Sequence, residues 1–148
     1  MALNNPINEN INNSECSLDY VGVQHDDFDI AHEYQLMREG NQQDGAIVFF
    51  TGLVRDFNQG NDVTGLFLEH YPGMTEKALQ DIVTQAKARW PVNRVRVIHR
   101  IGQLYLSDQI VYVAVSGKHR EASFDACRFI MDYLKKKPPN KGMYGWPH

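Results

Sequence analysis

The sequence is poor in cysteine, in unbroken apolar stretches and in net charge, and each shortage removes a class of protein. Its two cysteines, Cys16 and Cys127, stand far apart and in no metal or redox spacing. A disulfide framework is therefore not expected, and a reducing cytoplasm is the natural setting. No apolar run approaches the roughly 20 residues that span a bilayer. The first residues lack the basic stretch followed by an apolar one that marks a secretory signal. A formal net charge of −3 argues against a general nucleic-acid binder, whose affinity comes from a basic surface meeting phosphates. It leaves room for a small basic pocket. His25, His32, His99 and His148 fall in no metal-ligand spacing, and no P-loop, G-x-S-x-G or G-x-G-x-x-G occurs; neither a metal nor a resident cofactor is implied.

What is present suits one soluble domain. The chain has 148 residues, 43% of them hydrophobic, enough to bury a core. Residues 1–17 are rich in Asn, Ser and Glu and cannot repay the entropy of ordering, so a disordered N-terminal arm is expected there, with the domain over 18–148. Leu18–Val23 alternates as a half-buried strand does. Phe28, Ile30, Ala31, Tyr34 and Met37 recur at helical spacing, with Gly40 as the stop. Ala46–Gly52 is a continuous apolar run that predicts a strand buried on both faces. A Gly/Asn/Asp-rich loop, Asp56–Asp62, precedes a strand over Val63–His70, which Pro72-Gly73 breaks.

Thr75 is the expected cap of a helix whose apolar stripe runs through Ala78, Leu79, Ile82, Val83, Ala86 and Trp90, and Pro91 ends it. Two strands follow, Arg94–Ile101 and Gln109–Ser116, joined by a turn at Ser107-Asp108. A last helix is expected to turn Ala122, Phe124, Cys127, Ile130, Met131 and Leu134 to the core, with Lys135–Lys137 in its final turn and Pro138-Pro139 beyond. The order β-α-β-β-α-β-β-α predicts an α+β fold with a mainly antiparallel sheet.

Four features exceed core-building. Arg55 follows a strand and precedes a flexible loop, a place from which a guanidinium can fork onto a phosphate or carboxylate, although a plain surface arginine fits as well. Lys118-His119-Arg120 opens the last helix, where backbone N–H groups already favour an anion. Cations there oppose the helix dipole, so they need an anionic partner or a solvated position; His119 is also a candidate proton donor. Lys135–Lys137 complement the dipole at the other end, which would explain them without function. A helix of about 16 residues separates Arg120 from Lys135 by roughly 24 Å, so the two cannot meet merely by sharing it. In Leu68–Met74, Glu69 and His70 fall on opposite faces of a strand and form no acid/base pair by adjacency. The residues alone thus lead to an α+β domain with an anion pocket.

Several longer strings carry a family resemblance. Phe50-Thr51-Gly52-Leu53-Val54-Arg55, Leu68–Ala78 (LEHYPGMTEKA), Arg89-Trp90-Pro91, Val97–Gly102 and Phe129–Lys135 are similar, in order from about Leu18 to Lys137, to the large, catalytic subunit of molybdopterin synthase, the MoaE family. The resemblance implies an α/β hammerhead fold with an added antiparallel sheet. It implies a sulfurtransferase that converts cyclic pyranopterin monophosphate to molybdopterin by inserting a dithiolene. The implied sulfur donor is a small ubiquitin-like subunit with a C-terminal Gly-Gly thiocarboxylate, and two large subunits form the centre of a heterotetramer.

Position by position, the resemblance implies that Arg55, His119 and Arg120 bind the anion, that Phe50 and Met131 line the pocket, and that Lys135 is catalytic. A second catalytic lysine of the family aligns without gaps to Gly142, with Lys141 one residue away as the candidate. After Lys137 the tail departs from the family's pattern. The alternative within the family is therefore a chain that binds the small subunit or the pterin with impaired catalysis. The alternative outside it is a small phosphoester-binding regulator.

Overall fold

The computed structural model describes residues 18–55 and 65–136. The elements run β1 (Tyr20–Gln24), α1 (Ile30–Arg38), β2 (Ala46–Leu53), β3 (Gly65–Leu68), α2 (Met74–Arg89), β4 (Val92–Arg100), β5 (Gly102–Tyr105), β6 (Gln109–Gly117) and α3 (Arg120–Lys136). The expected N-terminal arm, the Asp56–Asp62 loop and the tail after Lys136 lie outside the described residues.

The main sheet has the order β1-β4-β6-β2. β4 and β6 are antiparallel, β6 and β2 are antiparallel, and β1 joins β4 in parallel. β3 and β5 pair antiparallel as a separate two-stranded sheet. The expected α+β class with mainly antiparallel pairing is therefore found, with one strand more than the sequence suggested. That strand, β5, has four residues and starts at Gly102, whose φ of 86° breaks the chain away from β4 in a conformation that glycine adopts without strain.

The two faces of the main sheet bury different side chains, as a period of two requires. Val95 and Val97 of β4, with Val111, Val113 and Val115 of β6, face α2 and α3. There they meet Leu79, Ile82, Val83 and Ala86, and Ala126, Cys127, Ile130 and Leu134. Ile98, Tyr112 and Ala114 face the other way onto Phe28 and Met37, which flank or belong to α1. β6 is buried nearly throughout because it is central and covered on both sides.

Both ends of α1 are closed by side chains. The Asp29 side chain accepts from the Ala31 N–H and caps α1. At its other end the Arg94 guanidinium donates to the carbonyls of Leu36 and Met37, at 3.0 and 3.3 Å, two of the acceptors that a helix terminus leaves open.

Three expectations need correction. β2 is an edge strand, not one buried on both faces: Phe49 and Phe50 are each 42% exposed and Leu53 49%. An apolar run reports that a strand is to be covered, not by what. Thr75 does not cap α2. The N-cap is Gly73 at φ 85°, whose N–H donates to Glu76 Oε1 at 2.9 Å, while Thr75 is fully buried as the second residue of the helix, its hydroxyl donating to the Tyr71 carbonyl. On α3, Phe124 is 51% exposed, and Ser123 and Ala126 take the inward positions. The strand expected over Val63–His70 is found as Gly65–Leu68.

Candidate functional site

The direction of α3 decides which candidate residues can meet. A Cβ on Gly117 would lie 2.9 Å from Ser123 Oγ, and the Cys127 thiol donates to the Val113 carbonyl at 3.9 Å. The helix therefore runs back along β6, from its Gly117 end toward Gln109. Lys135 lies eight residues past Cys127, about 12 Å along the helix. Gln109 lies four residues from Val113, about 13 Å along the strand. Lys135 thus stands level with Gln109, which pairs with Leu53. Arg55 is two residues beyond Leu53 and exposed. Arg55 and Lys135 share one end of the domain.

His119 and Arg120 occupy the opposite end. They follow Gly117, which pairs with Ala46, and the ladder from Ala46 to Leu53 spans roughly 24 Å. Lys118, His119 and Arg120 are all exposed. The cationic set named from the sequence is split into two pairs that one chain cannot bring together.

Between the two ends lies a pocket of about 350 Å³ where α3 crosses the β2 edge, and both expected lining residues, Phe50 and Met131, are on its wall. Phe124, Cys127, Arg128 and Asp132 line it too. Phe124, Arg128, Met131 and Lys135 recur at spacings of four, three and four, one face of a helix. Lys135 therefore continues the pocket-lining face by one turn. Sequence reasoning missed Arg128 and Asp132; their helical spacing from Met131 and Phe124 was the signal that could have found them.

Cys127 forms the floor of this pocket and is 4% exposed. Burial pushes its thiol up to about 11, so it stays protonated at neutral pH and is a poor nucleophile. Any sulfur that reacts here is brought by something other than Cys127. Among the described residues no group of three or more His, Cys, Asp or Glu side chains is arranged to hold a metal ion.

The Leu68–Met74 segment settles into two separate contacts. Tyr71 Oη donates to Glu69 Oε1 at 2.6 Å, and His70 Nε2 lies 3.3 Å from Glu76 Oε2. Glu69 and His70 do not pair with each other, though not by strand alternation as expected: both lie past the end of β3, which stops at Leu68. Lys141 lies outside the described residues.

The comparisons with known proteins agree with this architecture. A profile of the MoaE protein family matches residues 23–137. A Vibrio cholerae protein named molybdopterin synthase catalytic subunit is 58% identical over 119 residues, 80% of this chain and 79% of the relative. Among solved structures, a molybdopterin biosynthesis MoaE protein from Burkholderia ambifaria superposes with a TM-score of 0.72 at 46% identity, covering 79% of this chain and 76% of its own. The crystal structure of molybdopterin synthase from Staphylococcus aureus gives a TM-score of 0.69 at 31% identity, covering 77% and 82%. With its described fold and its sequence agreeing over this span, the chain belongs to the MoaE protein family.

Proposed function

We infer that this chain is the catalytic subunit of a molybdopterin synthase. It binds cyclic pyranopterin monophosphate and transfers to it sulfur delivered as the C-terminal thiocarboxylate of a small ubiquitin-like subunit ending in Gly-Gly, forming the dithiolene of molybdopterin. The observation that carries the reading is the 58% identity, across 80% of the chain, to a relative named for this activity.

The residues fit the chemistry required. A phosphorylated pterin is held by cations, and Arg55, His119 and Arg120 are the candidates for that anion site. Phe50 and Met131 offer apolar walls for the substrate and the entering tail. Lys135, on the same helix face, stabilises the negative charge that develops during sulfur transfer, or activates a group through an acyl-linked intermediate. Lys141 is the candidate for a second lysine. The separation of Arg55 and Lys135 from His119 and Arg120 supports a site completed by a second copy of the chain. The exposed apolar edge of β2 suits such a contact, and a central pair of large subunits would leave the outer faces to two small subunits. No helix among the described residues is long and apolar enough to cross a membrane, and the reading places the reaction in the cytoplasm.

A second reading is favoured by the segment after Lys137, which lies outside the family match: the chain binds the small subunit or the pterin with impaired turnover. Mixing the purified protein with thiocarboxylated small subunit and cyclic pyranopterin monophosphate separates the two. Formation of the dithiolene product establishes the first. Association of the subunits with no product establishes the second.

A further inference from the structure

The turn that carries His119 and Arg120 is fixed by a residue outside the set discussed so far. Asp44, in the loop between α1 and β2, receives three hydrogen bonds on one oxygen. Its Oδ2 accepts from Ser116 Oγ at 2.7 Å, from Asn41 Nδ2 at 2.8 Å and from Asn93 Nδ2 at 2.9 Å. Ser116 is fully buried and is the penultimate residue of β6; its hydroxyl also accepts from the Arg94 N–H at 3.0 Å. Asp44 is thereby tied to β4 and to the end of β6, two residues before the cationic turn begins. Burial works to raise the Asp44 carboxyl, but the bonds from Ser116, Asn93 and Asn41 and the Arg94 charge overcome it and hold it below its ordinary value.

The next residue makes the contact direct. The Gly45 N–H donates to the Gly117 carbonyl at 2.9 Å. A Cβ at Gly45 would stand 2.7 Å from the Lys118 carbonyl oxygen, closer than packed atoms allow, and the atom it meets is backbone that cannot swing aside. Gly45 is glycine because the turn lies against it. Together the two residues hold Ser116, Gly117 and Lys118 by side chain, by backbone and by close approach.

We propose that Asp44 and Gly45 are positioning residues for the His119–Arg120 half of the substrate site. They touch no substrate; they set the level at which the cationic turn leaves the sheet. The proposal rests on the assignment of Arg120 to the anion site. Its chemical basis is that a binding group misplaced by about 1 Å loses much of its contribution. A carboxylate anchored by three donors is a stiffer support than a solvated loop.

The test uses the assembled enzyme, with thiocarboxylated small subunit as sulfur donor and cyclic pyranopterin monophosphate as the varied substrate. Asp44→Asn removes the charge at constant shape, and Gly45→Ala pushes the turn while leaving Asp44 intact. Each is expected to raise KM for the pterin roughly tenfold, with kcat falling less. Adding Arg120→Ala to Asp44→Asn should raise KM by less than the product of the two single effects, since both act in part through Arg120. A residue that only maintains the fold would lower the active fraction and leave KM where it was. That result for Asp44→Asn, or for Gly45→Ala should Asp44→Asn not fold, overturns the proposal while Arg120→Ala still raises KM. An unchanged KM in Arg120→Ala overturns the anion-site assignment, and this proposal with it.

Discussion

Lys135 stands one helical turn past Met131 on the same face of α3, the face from which Met131 lines a pocket together with Phe50. The relationship joins a residue that charge at a helix end would explain equally well to a site that the fold supplies independently. Lys135→Ala is expected to abolish dithiolene formation while costing less than about 1 kcal/mol of stability, the usual worth of a cation in a last helical turn. Product assays beside thermal unfolding check both halves. Normal turnover in the variant would remove Lys135 from the mechanism.

The division of the cations between two ends makes a prediction about mixtures. Lys135→Ala and Arg120→Ala chains should each be inactive or weak alone. If one site takes Lys135 from one copy and Arg120 from another, a mixed pair of chains contains one site with both defects and one with none. Random reassociation of equal amounts should then restore about a quarter of wild-type activity. No recovery, with mixed pairs demonstrated by mass, would mean that the site is not shared.

His99 is fully buried on β4, with Nδ1 2.8 Å from the Arg100 carbonyl oxygen, and burial pushes it down to about 4 from an ordinary 6.5. The folded chain therefore takes up this proton less readily than the unfolded one. The associated stability is complete above about pH 6.5 and is lost progressively as the pH falls toward 4. Denaturant titrations across that window should show the decline, and His99→Gln should flatten it. An equal slope in the variant would assign the acid sensitivity elsewhere.

The protonated state of Cys127 predicts chemical silence. Maleimide at neutral pH should leave the peptide containing Cys127 unlabelled until the protein is unfolded, because the thiolate is scarce and the sulfur is covered. Cys127→Ala should keep its capacity for sulfur transfer, since the sulfur arrives from the partner. Rapid labelling of the native protein would contradict the buried setting.

Much of this was readable from the residues, and what was not has physical causes. The stripe Leu79, Ile82, Val83, Ala86 declared α2 and its buried face, because helical periodicity over sixteen residues leaves little ambiguity. β5 escaped because four residues, Gly-Gln-Leu-Tyr, are too few to establish a period, and its start depends on the backbone freedom of Gly102. The edge position of β2 escaped because Phe49 and Phe50 read the same whether a neighbouring strand or another molecule is to cover them. Arg55, His119, Arg120 and Lys135 were all legible as cations at element ends, and helix length alone set Arg120 and Lys135 roughly 24 Å apart. That Arg55 falls at the Lys135 end was not legible, since it depends on α3 running back along β6, which tertiary packing decides.

The order of strands in space has a consequence for how the chain comes into being. β4 and β6, the centre of the main sheet, lie in the second half of the sequence, while the strands that flank them come early: Tyr20 pairs with Arg96, and Phe50 with Val113. A ribosome releasing the protein from its N-terminus exposes both flanking strands long before either has a neighbour to bind. Phe49 and Phe50 must wait for more than sixty further residues to emerge. Such distant pairings close slowly and leave apolar strand unprotected meanwhile, so the newborn chain can hide this adhesive segment only after synthesis has passed β6.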